Sequence, residues 1–187
     1  MPTPADIDQV RAATTCLVNL QRRHDGLAPL VDDGQLQGVA QAHSDDMVAR
    51  DYFDHTSPSG ATATDRILHS GYVSDAVSWA IGENIAYGTM NLATPSEVVT
   101  AWMNSPGHRA NILDPGYRQT GMGVTPAVAS SLSEGQAGAM YTQDFGAHGR
   151  SVGRALGPMR DPRPAARTHR PHVVRRRSAT TAMSSRG

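Results

Sequence analysis

Residues 94–113, TPSEVVTAWMNSPGHRANIL, constrain the fold of this chain most, because they carry two helix starts in succession. Thr94 stands as a cap, Pro95 occupies the first helical position, where its missing N–H costs nothing, and Glu97 follows three residues after the cap. Val98, Ala101 and Trp102 recur at helical spacing and make an apolar face. Ser105-Pro106 repeats the start signal, which puts His108 in the first turn of a second helix. A helix N-terminus disfavours added positive charge, so an imidazole there is expected to be neutral and free to act as ligand, base or hydrogen-bond partner. Ile112 and Leu113 anchor this second helix, and Asp114-Pro115-Gly116 ends it.

The rest of the chain reads as one domain, residues 5–148, followed by a basic extension, 149–187. No apolar run approaches the roughly 18 residues of a membrane span. A single cysteine, Cys16, excludes an intrachain disulfide. The first twenty residues set Asp6, Asp8 and Arg11 in a helical pattern, which does not read as a secretory leader. Charge is divided sharply. Residues 1–149 hold seven arginines against sixteen acids, a net −9, and residues 150–187 hold ten arginines against one acid, a net +9. The Arg/Pro-rich tail has few large apolar groups to offset ordering entropy and is expected to be disordered. It offers a surface to an anionic partner, but it lacks Phe, Tyr and Trp, so base stacking and nucleic-acid recognition are not expected.

Taken in order, residues 5–24 predict a helix with Ile7, Val10, Leu17 and Leu20 on one face and Cys16 beside it as a buried, inert thiol. Gly26 stops it. Leu30-Val31 reads as a short strand, and Asp32 or Asp33 caps a helix to about Arg50, where His43 falls on the packing stripe. YFDHTSPSG, 52–60, is a turn-rich loop carrying His55, and residues 62–70 form a short helix closed by Gly71. A polar stretch leads to Gly82-Glu83-Asn84-Ile85-Ala86, and after the central helices Thr120 to Val128 and Ala139 to Phe145 read as strands joined by a Ser/Gly-rich turn.

His55, Glu83 and His108 stand out because each sits in a segment that mixes turn chemistry with an apolar anchor. A plain reading is also open, in which Glu83 accepts backbone N–H bonds and ties loops together. Ser105 and Ser57 raise the idea of a serine hydrolase, but no G-x-S-x-G elbow is present and a cap role accounts for Ser105.

YFDHTSPSG, GENIA, AWMNSPGHRANILDPGYRQTGMGV and YTQDFG, in this order, resemble the bacterial branch of the CAP superfamily, the cysteine-rich secretory, antigen 5 and pathogenesis-related 1 proteins, also called the SCP domain. The resemblance covers about residues 8–147. It implies an α+β fold, a three-layer α-β-α sandwich with a small, mostly antiparallel sheet. It implies a ligand cleft of His55, Glu83, Ser105, His108 and Gln143, in which Ser105 stands where the family pattern has a second glutamate. It further implies a monomer outside the cell or in its envelope that binds a lipid, glycan or peptide, and possible zinc held by His55 and His108. Two imidazoles with a carboxylate suit zinc, and a zinc-bound water would be a nucleophile near neutral pH. His55, Glu83 and His108 are then also the candidates for catalysis in an alternative reading, a metal-assisted hydrolase of peptide or cell-wall substrates. Against it, no HExxH spacing fixes two ligands on one helix.

Overall fold

The structure, a computed structural model, describes residues 1–150; the basic tail expected to be disordered lies, beyond that point, outside the described residues. Helices α1 (Ile7–His24), α2 (Gly34–Ala49) and α3 (Ala63–His69) precede the paired helices α4 (Pro95–Asn104) and α5 (Pro106–Ile112). Strands β1 (Val31–Asp32), β2 (Ala76–Thr89), β3 (Gln119–Thr125) and β4 (Gly138–Arg150) form one sheet in the order β1-β3-β4-β2. Only the β1–β3 pairing is parallel. Helices cover both faces, which makes the expected α-β-α sandwich.

The two faces have separate cores. Ala86, Met122, Val124, Tyr141 and Phe145 point one way and pack with Val10 and Val18 of α1, Val98 and Trp102 of α4, and Ile112 of α5. Ile85, Tyr87 and Met140 point the other way, against Met47 of α2. On that side α2 lies directly on the sheet, because a Cβ at Gly121 or Gly123 would come within 2.1 or 2.2 Å of the α2 backbone. These two glycines let a helix approach closer than side chains would allow.

The edge strand β2 explains why the 94–113 region matters. The carbonyls of Ile81, Glu83 and Ile85 accept from Tyr117 Oη (3.2 Å), Asn111 Nδ2 (3.1 Å) and Trp102 Nε1 (3.2 Å). Three side chains from α4, α5 and the following turn thus satisfy alternate backbone acceptors of the sheet edge, groups that would otherwise template unwanted pairing or stay unpaired.

Several expectations change. Residues 76–89 form the longest strand, in place of the polar stretch and the Gly82-Glu83-Asn84-Ile85-Ala86 segment it leads to. Residues 83–88 are buried without interruption, so the strand lacks the alternation that marks a half-exposed one. The strand expected to reach Val128 ends at Thr125, the one expected to end at Phe145 continues to Arg150, and the turn between them holds a short helix, α6 (Ser130–Ser133). In α1 the buried stripe is Val10, Thr14, Val18 and Arg22, with Thr15 and Asn19. Leu20 is 47% exposed. Cys16 is exposed rather than buried, since it sits two residues, roughly 200°, around the helix from Thr14. The polar members of the stripe are paired. Asn19 exchanges two hydrogen bonds with the Leu30 backbone, and Arg22 donates to the Ala28, Ile112 and Asp114 carbonyls. Asp33 caps α2, as expected, by accepting from the Gln35 and Leu36 amides, whereas neither Thr94 nor Ser105 closes its helix with a side-chain cap bond.

Trp102 is 1% exposed and bonded through its indole N–H. Trp102→Ala is therefore expected to destabilise the fold by about 3–5 kcal/mol in chemical denaturation. Trp102→Phe, which keeps most of the apolar bulk but orphans the Ile85 carbonyl, should cost about 1–3 kcal/mol.

Candidate functional site

The site is built around one carboxylate. Glu83 lies in the buried part of β2 with no exposed surface, and its side chain projects to the α2 face of the sheet. His55 Nδ1 lies 2.7 Å from Oε1, and Arg66 Nη2 donates to Oε2 at 2.6 Å. Burial pushes the Glu83 carboxyl up, but the His55 hydrogen bond and the Arg66 charge outweigh it and hold the group below the usual carboxylate range. The carboxylate holds a proton on His55 Nδ1 and so turns Nε2 away from Glu83; that nitrogen is buried and has no partner.

Local sequence explains how these partners arrive. Thr62 and Asp65 form a capping box, the Thr62 hydroxyl accepting from the Asp65 amide and the Asp65 carboxylate from the Thr62 amide. The box starts α3 just ahead of Arg66. Arg66 Nη1 also donates to the His55 and Ala61 carbonyls, which staples the 55–61 loop to the sheet. From α2, His43 Nε2 lies 3.0 Å from the Asp54 carbonyl and must carry the proton, since a carbonyl only accepts. Thus His43 packs as its helical position suggested, and it also anchors the loop that carries His55. Burial lowers its pKa, although the Glu83 charge opposes this.

His108 approaches from α5, which is bound to β2 by amides. Asn84 Nδ2 donates to the His108 carbonyl at 3.2 Å, and Asn111 Nδ2 donates to both the Glu83 carbonyl and Asn84 Oδ1. The imidazole is 1% exposed, and burial, with the nearby His55, pushes its pKa down to about 4. His108 is neutral, as expected, but burial rather than the helix end is the main cause. Its Nε2 is also buried without a partner.

Not every expected position converges. His55 and Glu83 touch, and His108 is close enough to sense the His55 charge. Ser105 is buried at the α4–α5 junction. Gln143 lies on the opposite sheet face from Glu83: its register partner is Asn84, and its Nε2 donates to Thr120 Oγ1. Four further residues of this polar centre were not read from the sequence: Arg66, Asn84, Asn111 and Asp144. The two asparagines stood inside the GENIA and GHRANIL motifs, where a buried amide is a usable signal. Asp144 neighbours Gln143 in YTQDFG, and Arg66 had only the preceding Thr62-x-x-Asp65 box to mark it.

For a metal, the donors divide unevenly. Both Glu83 oxygens are taken by His55 and Arg66, and among the described residues no three His, Cys, Asp or Glu side chains form a metal-holding group. His55 and His108, the two expected metal ligands, each keep a buried Nε2 without a partner, and together they would supply two of the three protein ligands usual for a catalytic zinc.

The family model for the cysteine-rich secretory protein family (CAP) matches residues 16–145. The chain belongs to the CAP family. It is 37% identical over 143 residues to Bacillus subtilis YkwD, an uncharacterized protein, covering 76% of this chain and 49% of that one. CAP relatives of known structure include an extracellular SCP-domain protein of Bacillus anthracis, at 29% identity and a TM-score of 0.57, over 78% of this chain and 44% of that one. An outer surface protein of Borrelia burgdorferi shares the fold at 20% identity, with a TM-score of 0.60 over 80% of this chain and 97% of that one. The chain thus spans about half the length of YkwD. Among the described residues no helix is long and apolar enough to cross a membrane.

The Glu83–Arg66 contact yields a prediction with a defined sign. Because the folded-state pKa of Glu83 is lowered, its contribution is present above the ordinary carboxylate range and is lost as pH falls through the folded value. Arg66→Met leaves a buried carboxylate without its cation and should cost about 3–5 kcal/mol at pH 7. The difference from wild type should shrink in melts at progressively lower pH, as Glu83 takes up a proton; a difference constant down to acid pH would mean that Arg66 acts only by packing.

Proposed function

We propose that this CAP domain is a binding module that works outside the cell or in its envelope, as a monomer, with the cleft around His55, Glu83 and His108 taking a small lipid, glycan or peptide ligand. One observation carries this reading. Nε2 of His55 and Nε2 of His108 are both buried and lack a partner. Buried polar atoms in native folds nearly always have a partner, so two neighbouring open imidazoles call for a ligand group that bonds to them. A hydroxyl or amide suits the pair, since it can both donate and accept and so can bond to either imidazole nitrogen. The extracellular description of the Bacillus anthracis relative supports placement outside the cell.

The metal-assisted hydrolase is retained as a second reading because Glu83 orients the His55 ring as a carboxylate orients a metal-ligating imidazole, with Nε2 left open. Any metal would be held by His55 and His108.

Calorimetric titration decides between these readings. Lipid vesicles, cell-wall glycan fragments and stem peptides are titrated in turn into metal-free protein and into protein with zinc, beside the double variant His55→Ala, His108→Ala. The binding module predicts that at least one class binds wild type and is lost in the double variant. Binding unaffected by the two substitutions, or none with any class, contradicts it. Zinc alone binding at micromolar or tighter level and lost in the double variant supports the metal. Hydrolysis that survives the double substitution excludes the mechanism with a metal on His55 and His108.

A further inference from the structure

Asp144 is the one buried acid that none of the preceding roles uses. It sits in the middle strand β4, directly opposite Glu83 in the register and so on the same sheet face, and it has no exposed surface. Neither of its oxygens meets a hydrogen-bond donor. An ionised carboxylate inside a sheet ordinarily collects two or three N–H groups, and one without them is strongly disfavoured.

Among the described residues, the neighbours offer no second permanent cation. From β2, Glu83 brings a negative charge, and Gly121, opposite Asp144 on β3, brings none. From α3, Arg66 brings the single permanent positive charge, already committed to Glu83 and to two carbonyls of the loop. From α2, His43 has its pKa lowered by burial, and His55 of the loop is bonded to Glu83. With His55 and Arg66 both bonded to Glu83, an ionised Asp144 would be buried beside another carboxylate with no donor of its own.

We propose that Asp144 is a positioning residue that carries a proton at neutral pH and donates it in a hydrogen bond to the Glu83 carboxylate. The Asp144 O–H is then a third donor on Glu83, beside His55 Nδ1–H and Arg66 Nη2–H. Each Glu83 oxygen has lone pairs enough for this. The pair holds one negative charge against one cation, and the carboxylate that orients His55 is gripped from three sides. Burial, followed by the Glu83 charge, holds the Asp144 carboxyl well above the usual carboxylate range, in agreement with the geometry. The inference deepens the cleft reading by naming what holds Glu83, and it is tested without ligand, so a failed ligand screen and a failure here are separate results.

The experiment is infrared spectroscopy of the full chain in heavy water at pH 7, with thermal melts. Wild type should show the carbonyl band of a protonated carboxyl, and Asp144→Asn should lose it, while Glu97→Gln, an exposed control, should keep it. No band in wild type, or a band that survives Asp144→Asn, overturns the proposal. A raised folded-state pKa of an acid gives stability that is fully present below the ordinary carboxylate range and is lost as pH rises. Asp144→Asn keeps the shape and a donor without that loss, so it should melt higher than wild type at pH 7, by about 4 °C or more, and the gap should close near pH 4. A lower melting point for Asp144→Asn at pH 7 would mean an ionised Asp144 held by Arg66, and would overturn the proposal. The His55 Nδ1 proton, seen downfield by NMR, should persist in Asp144→Asn and be lost or broadened in Asp144→Leu, which has no donor. Its persistence in the folded Leu variant would remove the positioning role.

Discussion

The outward carbonyls of strand β2 are the constraint on which the structure turns. An edge strand that is buried along 83–88 cannot use water to satisfy its open side, so protein donors must supply what water would. Trp102, Asn111 and Tyr117 do so at alternate residues. Each is aimed by a different local structure: Trp102 by the apolar face of α4, Asn111 by α5, Tyr117 by the turn after Asp114. The sharp reversal between α4 and α5 lets one continuous stretch reach along the same edge. Because the edge is closed by helices, α5 is fixed in place, and His108 with it.

Glu83 extends the same logic to charge. Its backbone faces the edge and bonds to Asn111, while its side chain faces the other helical layer and bonds to His55 and Arg66. One residue therefore couples the α5 side of the sandwich to the loop and α3 on the opposite side. A fully buried carboxylate is tolerated only where donors and a cation converge on it. The loop at 52–60 is anchored at its start by Phe53 against Tyr87 and is ordered further along by this need together with the His43 and Arg66 contacts to its backbone. Glu83 does tie loop and helix to the sheet, but its carboxylate does so through the His55 and Arg66 side chains rather than through backbone N–H groups, and the two open imidazole nitrogens are what that role leaves over.

Helices with clear start signals were legible in the chain. The Asp33 cap, the Pro95 and Pro106 starts and the Thr94-to-Leu113 pattern all fall where α2, α4 and α5 begin. Strand β2 was not legible, because Glu83, Asn84 and two glycines interrupt what would otherwise read as a buried apolar run. In α1 the apolar residues misled in part. Leu20 and Cys16 face outward while Thr14, Asn19 and Arg22 are inside, since their polar atoms find backbone partners, some of them as far as 95 positions away.

By itself the sequence determined where helices start, which indole anchors the core, and that His55, Glu83 and His108 belong to conspicuous motifs, because caps, prolines and periodicity act over a few residues. Only the tertiary structure decided that Glu83 and His55 touch, that Arg66 neutralises the pair, that Asp144 lies across the ladder from Glu83, and that Gln143, its chain neighbour, faces the other way. Burial, register and charge compensation arise from segments distant in the chain, and in a strand a shift of one residue exchanges the two faces of the sheet.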